Sequence, residues 1–127
     1  MPSPKEIVGE VCRLFAEQRG MDAVERYFAP DYVEHNPEVP DGSLDGFRAL
    51  LVREGLDEPR GRAFEMTVLN LIAECPDVAV HLKVSEPDRP PLIIMEIYRV
   101  RDGRIVEHWD VMQSMPAKPV NRRHAMA

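Results

Sequence analysis

Apolar residues along this chain follow one period in its first half and another in its second. Ile7, Val8, Val11, Cys12, Leu14 and Phe15 recur at helical spacing, which places them on one face of a helix. Ser3-Pro4-Lys5-Glu6 supplies a start signal: Ser3 to cap, Pro4 at the first helical position and Glu6 to complete a capping box. Gly20 is expected to close that helix. A shorter helix is expected from Asp22, with Val24, Tyr27 and Phe28 on its buried side and Pro30 as its stop. Asp31 to Pro37 reads as a short extended segment. After a loop from Pro37 to Gly42, Ser43 caps a third helix that buries Leu44, Phe47, Leu50 and Leu51 up to Gly55.

Gly55 to Arg62 is a polar connection, and beyond it the texture changes. β-Branched and aromatic residues now come in runs bounded by Pro, Asp and Gly: Phe64 to Glu74, Val78 to Val84, Leu92 to Arg101, and Arg104 to Met115. Three helices followed by a four-stranded meander predict an α+β domain over residues 1–116, with the helices against one face of an antiparallel sheet. Residues 117–127 are polar apart from a few small apolar side chains and are expected to form a flexible tail.

Composition narrows the function classes. A chain of 127 residues with 44% hydrophobic content can bury a core as one domain without disulfides or metal staples. Its net charge of −6, with scattered basic residues, argues against nucleic-acid or anionic-membrane partners. Cys12 and Cys75 lack the spacing of a disulfide framework or a zinc site. Without a secretory signal or an apolar run of spanning length, a cytoplasmic protein is expected. Glycine-rich phosphate loops, nucleophile elbows and HExxH helices are absent from the sequence, so any chemistry must come from a pocket constellation.

The last two strands hold the strongest candidates. Glu96, His108 and Asp110 stand in otherwise apolar surroundings, where unpaired charges are costly. Strand alternation puts Val106, His108, Asp110 and Met112 on one face and Ile105, Glu107, Trp109 and Val111 on the other. The position of Glu96 depends on the turn. A two-residue loop at Asp102-Gly103 would set Glu96 opposite Trp109, on the wrong face. A three-residue loop, Arg101-Asp102-Gly103, with a bulge at Gly103 would pair Glu96 with His108 and Tyr98 with Val106. The three-residue loop is the expectation. Alternation alone leaves His81 open between the pocket and a solvent face shared with Lys83, and Asn36 open between a turn role and ligand contact. Trp109 is expected in packing or an interface, Glu107 in solvent or at a dimer rim, and His124 in no role.

The segment Tyr27-Phe-Ala-Pro-Asp-Tyr-Val-Glu-His-Asn-Pro37, the strand Val78-Ala-Val-His81 and the stretch Tyr98-Arg-Val-Arg-Asp-Gly-Arg-Ile-Val-Glu-His-Trp-Asp110 together resemble the SnoaL-like branch of the nuclear transport factor 2-like superfamily. The resemblance implies a cone-shaped curved antiparallel sheet packed against three N-terminal helices, enclosing a pocket, usually in homodimers. It also implies cofactor-independent aldol cyclisation or isomerase-type proton transfer on a small apolar carbonyl compound. Asp110 occupies the position of the cyclase acid or base, and Glu96 a position where many similar sequences carry aspartate. Asn36 stands where ketosteroid isomerases have their aspartate base, and an amide cannot serve as that base. Asp110, His108 and Glu96 are therefore the catalytic candidates. His35, Asn36, His81, Tyr98 and Met112 are the candidates for substrate contact, with no metal and no cofactor. The competing expectation is a ligand-binding or dimerisation module of the same fold without turnover.

Overall fold

The computed structural model describes residues 1–59 and 64–127. Helix α1 spans Pro4–Ala16, α2 Gly20–Tyr27 and α3 Leu44–Arg53; strands are β1 Phe28–Glu34, β2 Glu65–Glu74, β3 Asp77–Ser85, β4 Leu92–Arg101 and β5 Arg104–Ser114. The expected capping box is complete: Ser3 Oγ accepts from Glu6 N at 3.2 Å, and Glu6 Oε1 accepts from Ser3 N at 3.5 Å. Ser3 and Glu6 together satisfy amide donors that the first helical turn leaves without partners. The second helix starts two residues earlier than expected, at Gly20, without a side-chain cap. Gly20 serves there as a close-packing residue, since a Cβ would lie 2.9 Å from the Leu56 carbonyl oxygen. The polar connection expected from Gly55 to Arg62 ends among residues 60–63, outside the described residues.

The meander is present, but the sheet has a fifth strand. Its order is β1-β5-β4-β3-β2, and β1 joins β5 in parallel. The short extended segment expected from Asp31 to Pro37 is therefore in part an edge strand of a mixed, curled sheet, and that strand begins at Phe28, which was expected on the second helix. Pro30 lies within β1 where its register against β5 shifts between Phe28 and Val33, so its missing amide interrupts no regular ladder there. At the opposite edge β2 carries a bulge between Val68 and Asn70.

The β4-β5 turn corrects the expected register. Arg101 pairs with Arg104 across a two-residue loop, with φ of 52° at Asp102 and 77° at Gly103. Positive φ at both positions is the signature of the turn whose twist suits a hairpin. The bulge lies further along, because Val100 pairs with Ile105 while Arg99 pairs with Glu107. One extra residue there restores what the short loop would have cost. Glu96 faces the same side as His108 and Asp110, but it pairs with Asp110, and Tyr98 pairs with His108. The bulge also brings Ile105 to the core side, where it is fully buried with Val100 and Tyr98.

Helix α1 lies across β2, β3 and β4. Val8, Val11 and Leu14 pack into one core with Val78, Val80 and Leu82, each such burial contributing about 1.5–3 kcal/mol. Phe28, Tyr32 and Phe47 interlock where β1 meets α3, with ring centroids 4.9–5.9 Å apart. Between β1 and α3 the chain turns through Gly42 at φ +59°, where a Cβ would lie 2.7 Å from the carbonyl oxygen of Glu34.

That close approach predicts a contrast between two glycines. Gly42→Ala should destabilise the protein by about 2 kcal/mol, from positive φ and from contact with backbone that cannot swing aside. Gly9→Ala, whose Cβ would meet only Leu71 at 3.7 Å, should be neutral or stabilise by up to about 1 kcal/mol through helix propensity. Urea denaturation midpoints at constant slope decide the comparison, and equal effects would refute it.

Candidate active site

Three strands deliver the polar cluster. β1 has a polar residue at every second position near its end, and Tyr32 and Glu34 both point inward. Parallel pairing sets Glu34 beside His108 of β5, and antiparallel pairing sets Glu96 of β4 beside Asp110. His108 lies between them with both ring nitrogens engaged. Its Nδ1 is 2.9 Å from each carboxylate oxygen of Glu34, and its Nε2 is 2.8 Å from Glu96 Oε1. Glu34, Glu96 and His108 are all buried. The Tyr32 hydroxyl donates to Glu34 Oε1 at 2.7 Å, and the Asn36 amide N–H donates to Glu34 Oε2 at 3.1 Å. Tyr98 packs against the imidazole, centroid to centroid 4.5 Å.

This arrangement dictates the charges. Burial alone pushes an imidazolium toward losing its proton, but hydrogen bonds to Glu34 and Glu96 outweigh it and raise His108 to about 10. Burial likewise pushes the Glu34 carboxyl up. Bonds from His108, Tyr32 and the Asn36 amide reverse the direction, and the net value is lowered. Tyr32 and Tyr98 are raised by burial and by the neighbouring carboxylates, so both phenols stay protonated.

Asp110 differs from its neighbours. Its carboxyl is raised, first by burial and then by the charges of Glu34 and Glu96, against the opposing pull of His108 and an Asn36 hydrogen bond. The Asn36 side chain donates from Nδ2 to Asp110 Oδ2 at 3.2 Å, while its Oδ1 accepts from Glu38 N at 2.8 Å. Both roles left open for Asn36, turn and site, are filled by one side chain. Met112, two residues beyond Asp110, is exposed, so this face of β5 reaches solvent past the carboxylate. Glu96, His108 and Asp110 each present one potential metal-ligand atom, all within 4.8 Å of one another. An imidazolium has no lone pair to give, so a metal would have to displace a ring proton that is already donated to Glu34 or Glu96.

Two expected contacts lie elsewhere. His35 follows Glu34 by one residue and so turns to the outer face, where its Nε2 is 2.6 Å from Glu107 Oε2 and its ring stacks on Trp109 at 4.8 Å. Arg99 covers the same indole at 5.1 Å and bonds both Asp77 and Glu107. His81 is on the outer face too, bridging Asn70 at 3.1 Å and the Met126 carbonyl at 2.8 Å. Inner-face positions of β3 belong to Val78, Val80 and Leu82. The structure thus gathers Glu96, Tyr98, His108, Asp110 and Asn36, and leaves His35 and His81 outside. Sequence reasoning passed over Glu34 and Tyr32, although Tyr32, Glu34 and Asn36 at two-residue spacing were the available signal.

Three helices across one face of a curled, mixed five-stranded sheet, with an acid–imidazole cluster on that inner face, define a small α+β fold class. The sequence matches the SnoaL-like domain over residues 8–108, and the chain belongs to that family, within the nuclear transport factor 2-like superfamily. No curated protein matches it. Among solved structures it is similar to wild-type IdmH, a proposed polyketide cyclase from Streptomyces antibioticus, at 21% identity, with 87% of this chain and 92% of that chain covered and a TM-score of 0.69. A proposed ketosteroid isomerase from Kribbella flavida shares 17% identity over 95% of this chain and 85% of its own, TM-score 0.69. A SnoaL-like polyketide cyclase from Agrobacterium tumefaciens shares 15% over 89% and 93%, TM-score 0.69. At these identities the likeness establishes the fold.

The buried charges predict a pH-dependent stability. His108 binds its proton more tightly in the fold, so its contribution is complete below pH 6.5 and is lost as pH rises toward about 10. Glu34 contributes above pH 4.5, and that contribution is lost as pH falls through its lowered value. Unfolding free energy should therefore decline between pH 6.5 and about 10. His108→Leu, which leaves two buried carboxylates without their cation, should cost about 3–5 kcal/mol. Adding Glu34→Gln and Glu96→Gln to His108→Leu should recover much of that loss, and denaturation that shows no recovery would refute the ion-pair account.

Proposed function

We propose that this protein is a cofactor-independent catalyst of proton transfer next to a carbonyl, of the aldol-cyclisation or isomerisation type, with Asp110 as the proton-transfer group. The observation that supports it is the contrast inside the cluster. Glu34 and Glu96 are committed to His108, whereas Asp110, raised in proton affinity, is held among the described residues by the single Asn36 amide. A carboxylate poised in that way takes a proton from a carbon alpha to a carbonyl, forming an enolate. The enolate carbon then attacks a second carbonyl in the same molecule, and the resulting alkoxide recovers the proton from Asp110. No electrons are gained or lost. A small, mostly apolar carbonyl compound would approach Asp110 from the solvent-facing end of β5, past the exposed Met112.

A second reading, a binding module of the same fold without turnover, is favoured by one observation. A cavity of about 480 Å³ lies away from the cluster, lined among others by Val24, Phe28, Leu44, Arg48 and Arg104. A ligand seated there would not reach Asp110.

Exchange of α-protons separates the two readings. Tetralones incubated with the protein in deuterium oxide and followed by proton NMR should exchange faster than in buffer, with the rate lost as pH falls through the raised Asp110 value. Asp110→Asn should lower the protein-dependent rate by at least about 100-fold. Glu107→Gln, on the outer face, should leave it nearly unchanged. Persistence of exchange in Asp110→Asn would remove Asp110 from the mechanism.

Assembly is part of the same reading. The outer sheet face exposes Ile72, Met95, Ile97 and Val111, the last at 74%, beside Trp109. Ile105, expected among them, is in the core instead. A contiguous apolar face of this kind suits a second copy of the chain, with the His35, Glu107 and Arg99 network at its rim. Light scattering at micromolar concentration should give a dimer, and Val111→Arg should give a monomer. A monomeric parent protein would overturn the proposal.

A further inference from the structure

The cluster holds one group to which neither the family match nor the proposed reaction gives a role. Glu34 lies on β1, an edge strand, whereas Glu96, His108 and Asp110 come from the β4-β5 hairpin. It makes more polar contacts than any other residue of the cluster. Both its oxygens face His108 Nδ1 at 2.9 Å, one also takes the Tyr32 hydroxyl and the other the Asn36 amide. The carboxylate is thus held in place from both sides along its own strand. A neutral imidazole has one N–H and one lone pair. With a carboxylate oxygen at each nitrogen, its lone pair would face negative charge, so two N–H donors fit this geometry and one does not.

We propose that Glu34 is a positioning residue of the proton-transfer site. From the edge of the sheet it fixes the His108 ring with both N–H groups committed to carboxylates, so that His108 serves Asp110 as a permanent positive charge and neither accepts a proton nor donates to a bound oxygen. The idea rests on Asp110 as the proton-transfer group. His108 then has a definable task. Its charge opposes the burial and the two glutamates that drive Asp110 toward the protonated form, which keeps the Asp110 carboxylate available as a base near neutrality. Without Glu34 the imidazole loses one of its two anchoring charges. It becomes free to deprotonate, and with it goes the restraint on Asp110. The groups facing His108 are Glu34 and Tyr32 from β1, Glu96 and Tyr98 from β4 and Asp110 from β5, with the Cys12 thiol of α1 near Glu96 and Tyr98. Cys12 is raised to about 12 by burial and stays neutral.

The test reads His108 in the resting protein, without any substrate. In the parent protein its ring proton and nitrogen NMR shifts should remain those of an imidazolium from neutrality until pH approaches about 10. In Glu34→Gln a titration midpoint should appear about 1 to 3 pH units lower than in the parent. Should Glu34→Gln fail to fold, Tyr32→Phe removes one donor from the same carboxylate and should shift the midpoint by a smaller step. Ordinary titration of His108 near pH 6.5 in the parent protein, or an unmoved midpoint in the folded variant, overturns the proposal. Failure of the Asp110 reading looks different: exchange would survive Asp110→Asn while the His108 signals behaved as described.

Discussion

An imidazolium held between two buried carboxylates ties together parts of this protein that are far apart in sequence. Glu34 ends the first strand, Glu96 sits in the middle of the fourth and His108 in the fifth, with Nδ1 and Nε2 each within 2.9 Å of an acid. In a low-dielectric interior each charge alone would be expensive, and the three are tolerable only together. The parallel β1-β5 pairing, the Tyr32 hydroxyl and the Asn36 turn are all set where they complete this arrangement. So is the bulge after Ile105. Without it the two-residue turn would send Glu96 to the outer face.

Much of the fold was legible because it depends on local rules. The capping box at Ser3, the Ser43 cap and the bounds of β4 follow from short-range hydrogen bonding and from period-two alternation. The face shared by Glu96, His108 and Asp110 was also foreseen, though for a wrong reason. Moving the bulge from the loop to Val106 leaves the face unchanged while shifting every cross-strand partner. Sequence patterns constrain the parity of a register more tightly than the register itself.

What the sequence concealed was non-local. Nothing in Phe28–Glu34 announces a parallel partner so far along the chain, and without that partner Glu34 has no imidazole to meet. His35 and Asn36 were both candidates for substrate contact, as neighbours at the end of one extended segment. Backbone alternation sends one to an indole on the outside and the other to Asp110 on the inside. His81 was undecidable from its strand, because both faces of the sheet carry apolar residues once Met95, Ile97 and Ile72 are exposed on the outer one.

The two borders of the sheet lead to one more consequence. An unpaired strand edge invites further strands, and an open sheet has two such edges. Here one border carries Pro30, which has no amide hydrogen to offer, together with a break in register; the other is twisted by the bulge between Val68 and Asn70 and has glutamates at both ends, Glu65 and Glu74. Lateral growth of the sheet into ribbons or fibrils is thereby discouraged at both sides. Under the proposed assembly, copies of the chain would meet through the flat of the sheet, where a contact between identical faces closes on itself after two.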